Sequence, residues 1–339
     1  MSSKRVTAQD VARAAGVSQS AVSRVFTKGA SVSRKTEARV RDAAEALGYR
    51  PNALARSLIT GKSRIIGLVV AYLDNPFYPD AIERLSHALQ AQGYHLLIFT
   101  TGKQGLDTDR VVTELLDYQV DGIVAASINL SDAAMRRCDA AGIPVVLFNR
   151  GMPGSGLSSV TSENRAGGRR VAEFLMAGGH DRIAHITGFE RASTSRDRLA
   201  GFREALAEAG REVHALGDGR FDRQTACEAA RAMMAADAPA DAIFVANDHM
   251  ALAVMDVLRF DLGLSVPDDV SIVGYDDVPM AAWPAYDLTT LRQPTRRMVG
   301  AAVEELMALI DSPGRATRRI EIDGPLVVRG SARIPEGWR

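Results

Sequence analysis

Residues 6–26 read VTAQDVARAAGVSQSAVSRVF. Thr7, followed three residues later by Asp10, is typical of the capping box that begins a helix, and Gly16 suits the left-handed backbone that ends one. After a turn of only three residues, Ser18 is placed to cap a second helix. The stretch therefore predicts two short helices joined by a tight turn.

The second helix, predicted from Gln19 to about Phe26, has two different faces. Val22 and Val25 are one turn apart and are expected to pack inward. The polar residues of the opposite face are Gln19, Ser20, Ser23 and Arg24. A small polar face on the second of two such helices is typical of the helix-turn-helix that enters the DNA major groove. A third helix is predicted from the cap Ser33 to Leu47, with Val40, Ala44 and Leu47 on its core face.

The first 62 residues are strongly basic. They contain twelve Lys and Arg against four Asp and Glu, a net charge of +8, so the remaining chain carries −8 and the whole is neutral. A basic segment is typical of proteins that bind a polyanion, because neutralised phosphates release counterions. On charge alone a solvated charged face would explain the segment equally well; with the helical pattern, the charge predicts DNA binding.

The remaining composition is that of a globular protein. A length of 339 residues suggests two or three domains. The longest apolar run, residues 65–73, is much shorter than the ~20 residues of a membrane-spanning helix. The first twenty residues lack the apolar segment of a secretory signal, so a cytoplasmic location is expected. Cys138 and Cys227 lack metal-ligand spacing and are expected to be buried thiols in a reducing compartment.

Signatures of enzymes are missing from the sequence. It contains no GxxxxGK(S/T) phosphate loop, no GxSxG elbow and no HExxH metal motif, and no GxGxxG follows a predicted strand. His180 and His185 have no third metal ligand at a suitable spacing. We therefore expect no catalytic residues, no metal site and no cofactor.

From Ile65 onward, short apolar strands alternate with amphipathic helices. Strands are predicted over residues 65–71, 95–100, 122–126, 145–148, 183–187, 242–245 and 270–274, and helices over 79–92, 109–119, 131–141, 198–209, 223–235 and 249–260. The alternation indicates parallel sheets with right-handed helical crossovers. Two such series predict two lobes with a cleft between them, and ligands of these folds bind beyond the carboxyl ends of the strands.

Residues 6–18, 21–25 (AVSRV) and 47–52 (LGYRPN) resemble the head of the LacI/GalR (lactose-repressor) family of bacterial transcription regulators, and the resemblance extends through the whole chain. It implies an α/β fold in which an N-terminal all-α helix-turn-helix head precedes a two-lobed, type I periplasmic-binding-protein-like body of doubly wound parallel sheets. It further implies a DNA-binding domain (1–50), a hinge helix or linker (51–62) and an effector-binding and dimerisation domain (63–339). In that last domain, lobe 1 would comprise about 63–161 and 293–321, and lobe 2 about 162–292 and 322–336.

The resemblance also implies which head residues contact DNA. It places base contacts on Gln19, Ser20 and Arg24, beside Ala21, which is small enough to touch a thymine methyl group. Glutamine can pair with adenine, and arginine with guanine, through two hydrogen bonds. The positions suited to phosphate contacts are Ser18, Ser23, Arg34 and Lys35. The sequence also permits a plain helix cap for Ser18 and a solvated surface for Arg34 and Lys35.

Residues 52–61 predict a helix of barely two turns, which is marginal in water on its own and could order only on DNA. In the family, the leucine equivalent to Leu58 enters the minor groove at the centre of the site, with Ala55 close by. The sequence equally permits Leu54 and Leu58 to pack against the body.

Polar residues follow several strands of the body, among them Asn149 and Arg150. The resemblance implies that Arg198, Asn247 and Asp276 line an effector cleft, while Phe77 and Phe221 stack on the ligand. Arg150 beside Arg198 would favour an acidic sugar, a sugar phosphate or another anion, unless Asp74 or Glu163 holds it. The same sequence also permits a turn cap for Asp276, a helix cap for Asn247 and core positions for the two phenylalanines.

The predicted function is a DNA-binding transcription regulator, a repressor whose operator affinity changes when a small effector, a sugar or sugar derivative, binds. A homodimer on a pseudo-palindromic operator is expected, because the chain ends at Arg339 without the leucine-heptad tail of tetrameric relatives. The rival function is that of a sugar-binding transport receptor, against which the basic head argues.

Overall fold

The computed structural model describes residues 6–26, 30–50, 62–102 and 108–338. The chain divides into two compact units between Ser63 and Arg64. The first unit contains the helices α1 (Ala8–Ala15), α2 (Gln19–Val25) and α3 (Arg34–Ala46).

Local caps set the bounds of these three helices. The predicted capping box of Thr7 and Asp10 begins α1, and Gly16 ends it with a φ of 61°. The side chains of Ser18 and Ser33 each accept a hydrogen bond from the backbone amide three residues on, at the start of α2 and α3. All three caps predicted from the sequence are therefore confirmed.

Small apolar residues fill the core of this unit: Val11, Ala12, Ala15, Val22, Val25, Val40 and Ala44. Leu47, predicted to join them, is instead 38% exposed. It occupies the C-cap of α3, beyond the last turn that faces the core.

The second unit contains two sheets. The first is built from β1 (Ile65–Val70), β2 (His95–Thr100), β3 (Gly122–Ala126), β4 (Val145–Phe148), β5 (Ser158–Ser162) and β11 (Arg319–Ile322). Their order in the sheet is β11-β5-β4-β3-β1-β2, and every pair is parallel. The helices of this lobe are α4 (Phe77–Ala91), α5 (Thr108–Asp117), α6 (Asp132–Ala140) and α11 (Thr295–Asp311).

The second sheet is built from β6 (Ile183–Thr187), β7 (Leu216–Asp218), β8 (Ala242–Val245), β9 (Ser271–Asp276), β10 (Thr289–Arg292) and β12 (Leu326–Val327). Its order is β12-β10-β9-β8-β6-β7, parallel except for the antiparallel pair of β10 and β12. Its helices are α7 (Asn164–Ala177), α8 (Ser193–Glu208), α9 (Arg223–Met234) and α10 (Asp248–Asp256), which a π-helical turn (Val257–Asp261) continues.

The predicted fold class is confirmed, because both sheets are of the parallel, helix-covered kind. The chain passes from the first sheet to the second after β5, returns after β10 and crosses again after β11. Elements that the apolar pattern did not indicate include the polar strand β5 and the helices α7 and α11. Helix α8 begins at Ser193, five residues before the predicted start.

Two glycines allow α7 and α8 to cross in close contact. A Cβ atom at Gly168 would lie 2.0 Å from the carbonyl oxygen of Arg198, and one at Gly201 would lie 1.8 Å from that of Arg165. Each helix thus presents a glycine to the backbone of the other. Because the backbone of Arg198 lies at this contact, the crossing fixes the position from which its side chain extends.

Candidate functional site

The exposed face of α2 carries the side chains predicted to read DNA bases. Gln19, Ser20 and Arg24 are exposed and Ala21 is half-buried, whereas Val22 and Val25 lie in the core. The hydroxyl groups of Ser18 and Ser20 are 2.9 Å apart. The sequence-predicted polar face therefore points away from the three-helix core.

The residues predicted to contact phosphates lie at helix starts or on the same face. Ser18 caps α2 through a hydrogen bond of 3.2 Å from the amide of Ala21, and its side chain nevertheless stays exposed. Ser23, Arg34 and Lys35 are also exposed. The predicted hinge residues Ala55 and Leu58 lie outside the described residues.

A small polar cavity lies at the carboxyl ends of strands from both sheets of the second unit. Its lining residues are Tyr72, Asn75, Tyr78, Ser127, Asn149, Arg150, Thr194, Arg198, Phe221, Asn247, Asp276 and Gln293. The structure thus brings together every predicted cleft residue except Phe77. The predicted set lacked the other six lining residues, Tyr72, Asn75, Tyr78, Ser127, Thr194 and Gln293, whose local sequence carries no distinctive motif.

The prediction that Phe77 stacks on a ligand is corrected by its position in the core. Its side chain is 3% exposed, and its ring stacks on Phe148 with centroids 6.4 Å apart. Helix α4 begins at Phe77, which turns that ring toward the sheet. Tyr72 and Tyr78 line the cavity instead, and the hydroxyl of Tyr78 donates a hydrogen bond of 2.5 Å to Ser127.

Arg198 is almost fully buried and is held on several sides. Its Nε donates to Asn164 Oδ1 at 2.8 Å, and its Nη1 donates to the carbonyl oxygen of Ala246. The guanidinium carbon lies 3.5 Å from the ring centre of Tyr275, a cation–π contact. Its Nη2 lies 3.9 Å from Asp276 Oδ1. Arg198 is therefore positioned before any ligand binds.

Asp276 ends β9 and accepts hydrogen bonds from both lobes. Gln293 Nε2 donates to Oδ1 at 2.7 Å, and Asn75 Nδ2 lies 3.5 Å from Oδ2. Burial raises the pKa of Asp276 to about 6, against the opposing effect of the Arg198 charge. Asp277, which the predicted contact set omits, forms ion pairs with Arg292 and Arg329 instead.

Two asparagines have different roles at the cavity. Asn247 caps α10, accepting a hydrogen bond of 3.0 Å from the amide of Met250, so the helix cap that the sequence permits is present while the residue also lines the cavity. Asn149 adopts a left-handed φ of 63° after β4, and its Nδ2 donates to Ser127 at 3.2 Å.

Three buried polar atoms at the cavity have no hydrogen-bond partner among the described residues: Asn149 Oδ1, Arg150 Nε and Gln293 Oε1. Buried polar atoms are almost always hydrogen-bonded, so these three atoms leave hydrogen-bonding capacity that a small polar molecule could use. Burial lowers the pKa of Arg150.

The buried carboxyl of Asp248, behind the cavity, predicts a pH-dependent stability. Burial, aided by the Asp276 charge, raises the pKa of Asp248 from 3.8 to about 7. Because the native state then binds more protons than the unfolded chain, the free energy of unfolding should fall by about 2–4 kcal/mol as the pH rises from about 4 to 7. Urea denaturation at stepwise pH measures this fall.

In Asp248→Asn the fall should be smaller but not absent, because the amide does not titrate while Asp276, whose pKa is raised to about 6, still does. The matched control is Asp237→Asn, which alters an exposed aspartate. An equally steep fall in Asp248→Asn and the parent protein would contradict the assignment.

Among the described residues, no three His, Cys, Asp or Glu side chains are grouped so as to hold a metal ion. Cys138 and Cys227 are buried, as predicted. In the parts of the chain that the structure describes, no helix combines the length and apolar character needed to span a membrane.

Comparison with known proteins finds a separate match for the head and for the body of the chain. Residues 7–52 match the family described as bacterial regulatory proteins, lacI family, and residues 172–332 match a periplasmic binding protein-like domain. The chain is 34% identical over 334 residues to the HTH-type transcriptional repressor PurR of Photobacterium profundum, covering 96% of this chain and 98% of that protein. It is also 34% identical over 339 residues to the HTH-type transcriptional regulator CelR of Thermobifida fusca, covering 97% and 98%.

Solved structures show the same relationship. The lac repressor dimer bound to operator and the anti-inducer ONPF matches with a TM-score of 0.86 at 28% identity, over 97% of this chain and 99% of that chain. A CelR–cellobiose complex matches with a TM-score of 0.72 at 33% identity, over 96% and 100%. With a matching head, a matching body and relatives that align along nearly their whole length, this chain belongs to the LacI family of bacterial regulatory proteins, which are transcription regulators and not enzymes.

Proposed function

We propose that this protein is a cytoplasmic transcriptional repressor that binds a pseudo-palindromic operator as a homodimer and responds to a small effector held between its two lobes. The observation that carries the proposal is the polar cavity, with its buried unpartnered atoms Asn149 Oδ1, Arg150 Nε and Gln293 Oε1, in a chain that also carries a helix-turn-helix. The cellobiose in the matching CelR complex supports a sugar or sugar derivative as the effector.

In the proposed DNA complex, residues 1–50 are the DNA-binding domain. Gln19, Ser20, Ala21 and Arg24 contact base edges in the major groove, which distinguishes all four base pairs. Ser18, Ser23, Arg34 and Lys35 contact phosphates and fix the position of α2. Residues 51–62 form the hinge, in which Leu58, with Ala55 beside it, enters the minor groove.

In the proposed effector complex, residues 63–339 bind the ligand and form the dimer. Asp276 accepts hydrogen bonds from hydroxyl groups, Arg198 and Asn247 contribute polar contacts, and Phe221 covers an apolar face of the ligand. An effector changes operator affinity only through a difference in its affinity for the two conformations of the body.

Effector binding is tested by thermal unfolding of the full-length protein against neutral sugars, sugar acids, sugar phosphates and nucleobases. A ligand at about 100 times its dissociation constant adds about 2.7 kcal/mol and raises the Tm by several degrees. Asp276→Asn should abolish the rise, because the amide accepts fewer hydrogen bonds and leaves Arg198 without its counter-charge.

Asp132→Asn, at an exposed position of α6, is the matched control and should keep the full rise. A rise of equal size in Asp276→Asn would show that the ligand binds elsewhere. In parallel, ligands that raise the Tm should change the affinity for operator DNA selected from a random pool; failure to select any site would contradict the proposed function.

A further inference from the structure

A second, larger groove adjoins the polar cavity described above, which we call the inner cavity. The two share Tyr72, Ser127, Arg150 and Phe221 as lining residues, so they are neighbouring parts of one cleft. We call this groove the cleft mouth.

The cleft mouth has an unbalanced positive charge. Arg150, Arg191 and Arg220 line it, and none of its described lining residues is an aspartate or glutamate. Positive charges that line one groove favour an anion bound there. The inner cavity is different, since there the charge of Arg198 faces that of Asp276.

Arg150 lies where the cavity and the cleft mouth meet. It follows Asn149, whose left-handed backbone ends β4 and directs the next side chain into the cleft. Its Nε is buried without a hydrogen-bond partner among the described residues. A buried guanidinium donor is costly until an acceptor reaches it, and an anionic oxygen is the strongest acceptor available.

The loop that carries Arg220 is held in an unusual conformation. Arg220 and Phe221 both have positive φ angles, 52° and 51°, which residues other than glycine rarely adopt. The amide of Arg220 donates to Asp218 Oδ1 at 3.1 Å, and the Phe221 ring packs against Gly188, where a Cβ atom would lie 2.1 Å from that ring. Such backbone strain is typical of ligand sites, where it fixes side chains in advance.

We propose, building on the proposed function above, that the effector carries a phosphoryl or carboxylate group bound at the cleft mouth by Arg150, Arg191 and Arg220, while its hydroxylated body occupies the inner cavity. The orientation follows from the charges. The carboxylate of Asp276 accepts hydroxyl groups but repels an anion, and it lines the inner cavity and not the cleft mouth.

The test compares sugars that differ only in the anionic group. Isothermal titration of the full-length protein uses glucose, fructose and ribose, their terminal phosphates, and glucuronate and gluconate, with inorganic phosphate alone as a further probe. We expect a phosphate or carboxylate member to bind at least tenfold more tightly than its neutral parent, with an affinity that falls as salt is raised. Comparing the sugar phosphates with the sugar acids shows whether the site binds a phosphoryl or a carboxylate group.

Two exposed arginines supply the decisive variants, Arg191→Gln and Arg220→Gln. Each should weaken binding of the anionic ligand about tenfold, since one charge-assisted contact is lost, and leave the neutral parent unaffected. Arg315→Gln removes the same charge from an exposed residue outside both cavities and should change neither.

Tighter binding of the neutral parents, no binding by any anionic member, or unchanged affinity in both variants would each overturn the inference. Operator binding, measured with the same protein preparations, distinguishes a failure of this inference from a failure of the proposed function. If a neutral sugar binds and changes operator affinity, the proposed regulatory function holds and only the inference of an anionic effector is wrong.

Discussion

Replacing Arg24 with alanine is expected to abolish the preference of this protein for its operator while leaving non-specific DNA binding nearly unchanged. A bidentate contact between arginine and guanine contributes about 1–3 kcal/mol of discrimination. A dimer on two half-sites loses the contact twice, so the expected loss is about 2–6 kcal/mol in specific binding. Fluorescence anisotropy with selected and scrambled DNA at one salt concentration measures both affinities.

Arg41→Ala is the matched control for the loss of charge. Arg41 is an exposed arginine of α3 that pairs with Glu37 at 2.8 Å and is not among the predicted DNA contacts. Its replacement should weaken specific and scrambled DNA alike and only slightly. If Arg24→Ala behaves in the same way, α2 does not read bases and the recognition-helix assignment is wrong.

Adding a single methyl group at the crossing of α7 and α8 is expected to cause the largest loss of stability. In Gly168→Ala and Gly201→Ala the new Cβ atom overlaps a backbone carbonyl oxygen of the facing helix, which cannot rotate away. Overpacking in a close-packed interior costs about 1–3 kcal/mol and more where backbone must move, so we expect about 3 kcal/mol for each. Urea denaturation measures this loss of stability as a lower midpoint concentration, with the dependence of the unfolding free energy on urea unchanged.

Gly300→Ala in α11 is the control, because no atom of the described residues lies within 4 Å of a Cβ at that position. Alanine is the better helix former, so this change should be neutral or stabilise the protein by up to about 1 kcal/mol. Gly168→Ala should also weaken effector binding by displacing the segment that positions Arg198. Stability equal to that of Gly300→Ala in both crossing variants would mean that the helices are not in such close contact.

The head of the protein was largely predictable because its helices are bounded by local interactions. Each cap joins residues three apart, as Ser18 and Ala21 show, and such contacts can be found in the sequence itself. The predicted burial of Leu47 was wrong, because its exposure depends on how the end of α3 packs on the rest of the unit.

The body was predictable where strands are continuously apolar and not where they are polar. Strand β5 reads SSVTS and is nevertheless fully buried, between β4 and β11. Ser158 on this strand donates a hydrogen bond of 2.8 Å to Glu305, 147 residues away, which gives the buried hydroxyl group an acceptor. The start of α8 was missed for a similar reason, since Ser193 is buried and accepts a hydrogen bond of 3.0 Å from the amide of Gly151.

The sequence by itself determined the helix-turn-helix and the alternation of strands and helices, and its resemblance to the LacI/GalR family supplied the candidate cleft residues Arg198, Asn247 and Asp276. Capping, periodicity and strand-end position are properties of neighbouring residues, so they are already present in the order of the chain. Only the tertiary structure decided that Phe77 belongs to the core, that Tyr72 and Gln293 complete the cavity, and which buried polar atoms lack partners among the described residues. Those outcomes depend on contacts between segments tens to hundreds of residues apart, which packing brings together and no local pattern encodes.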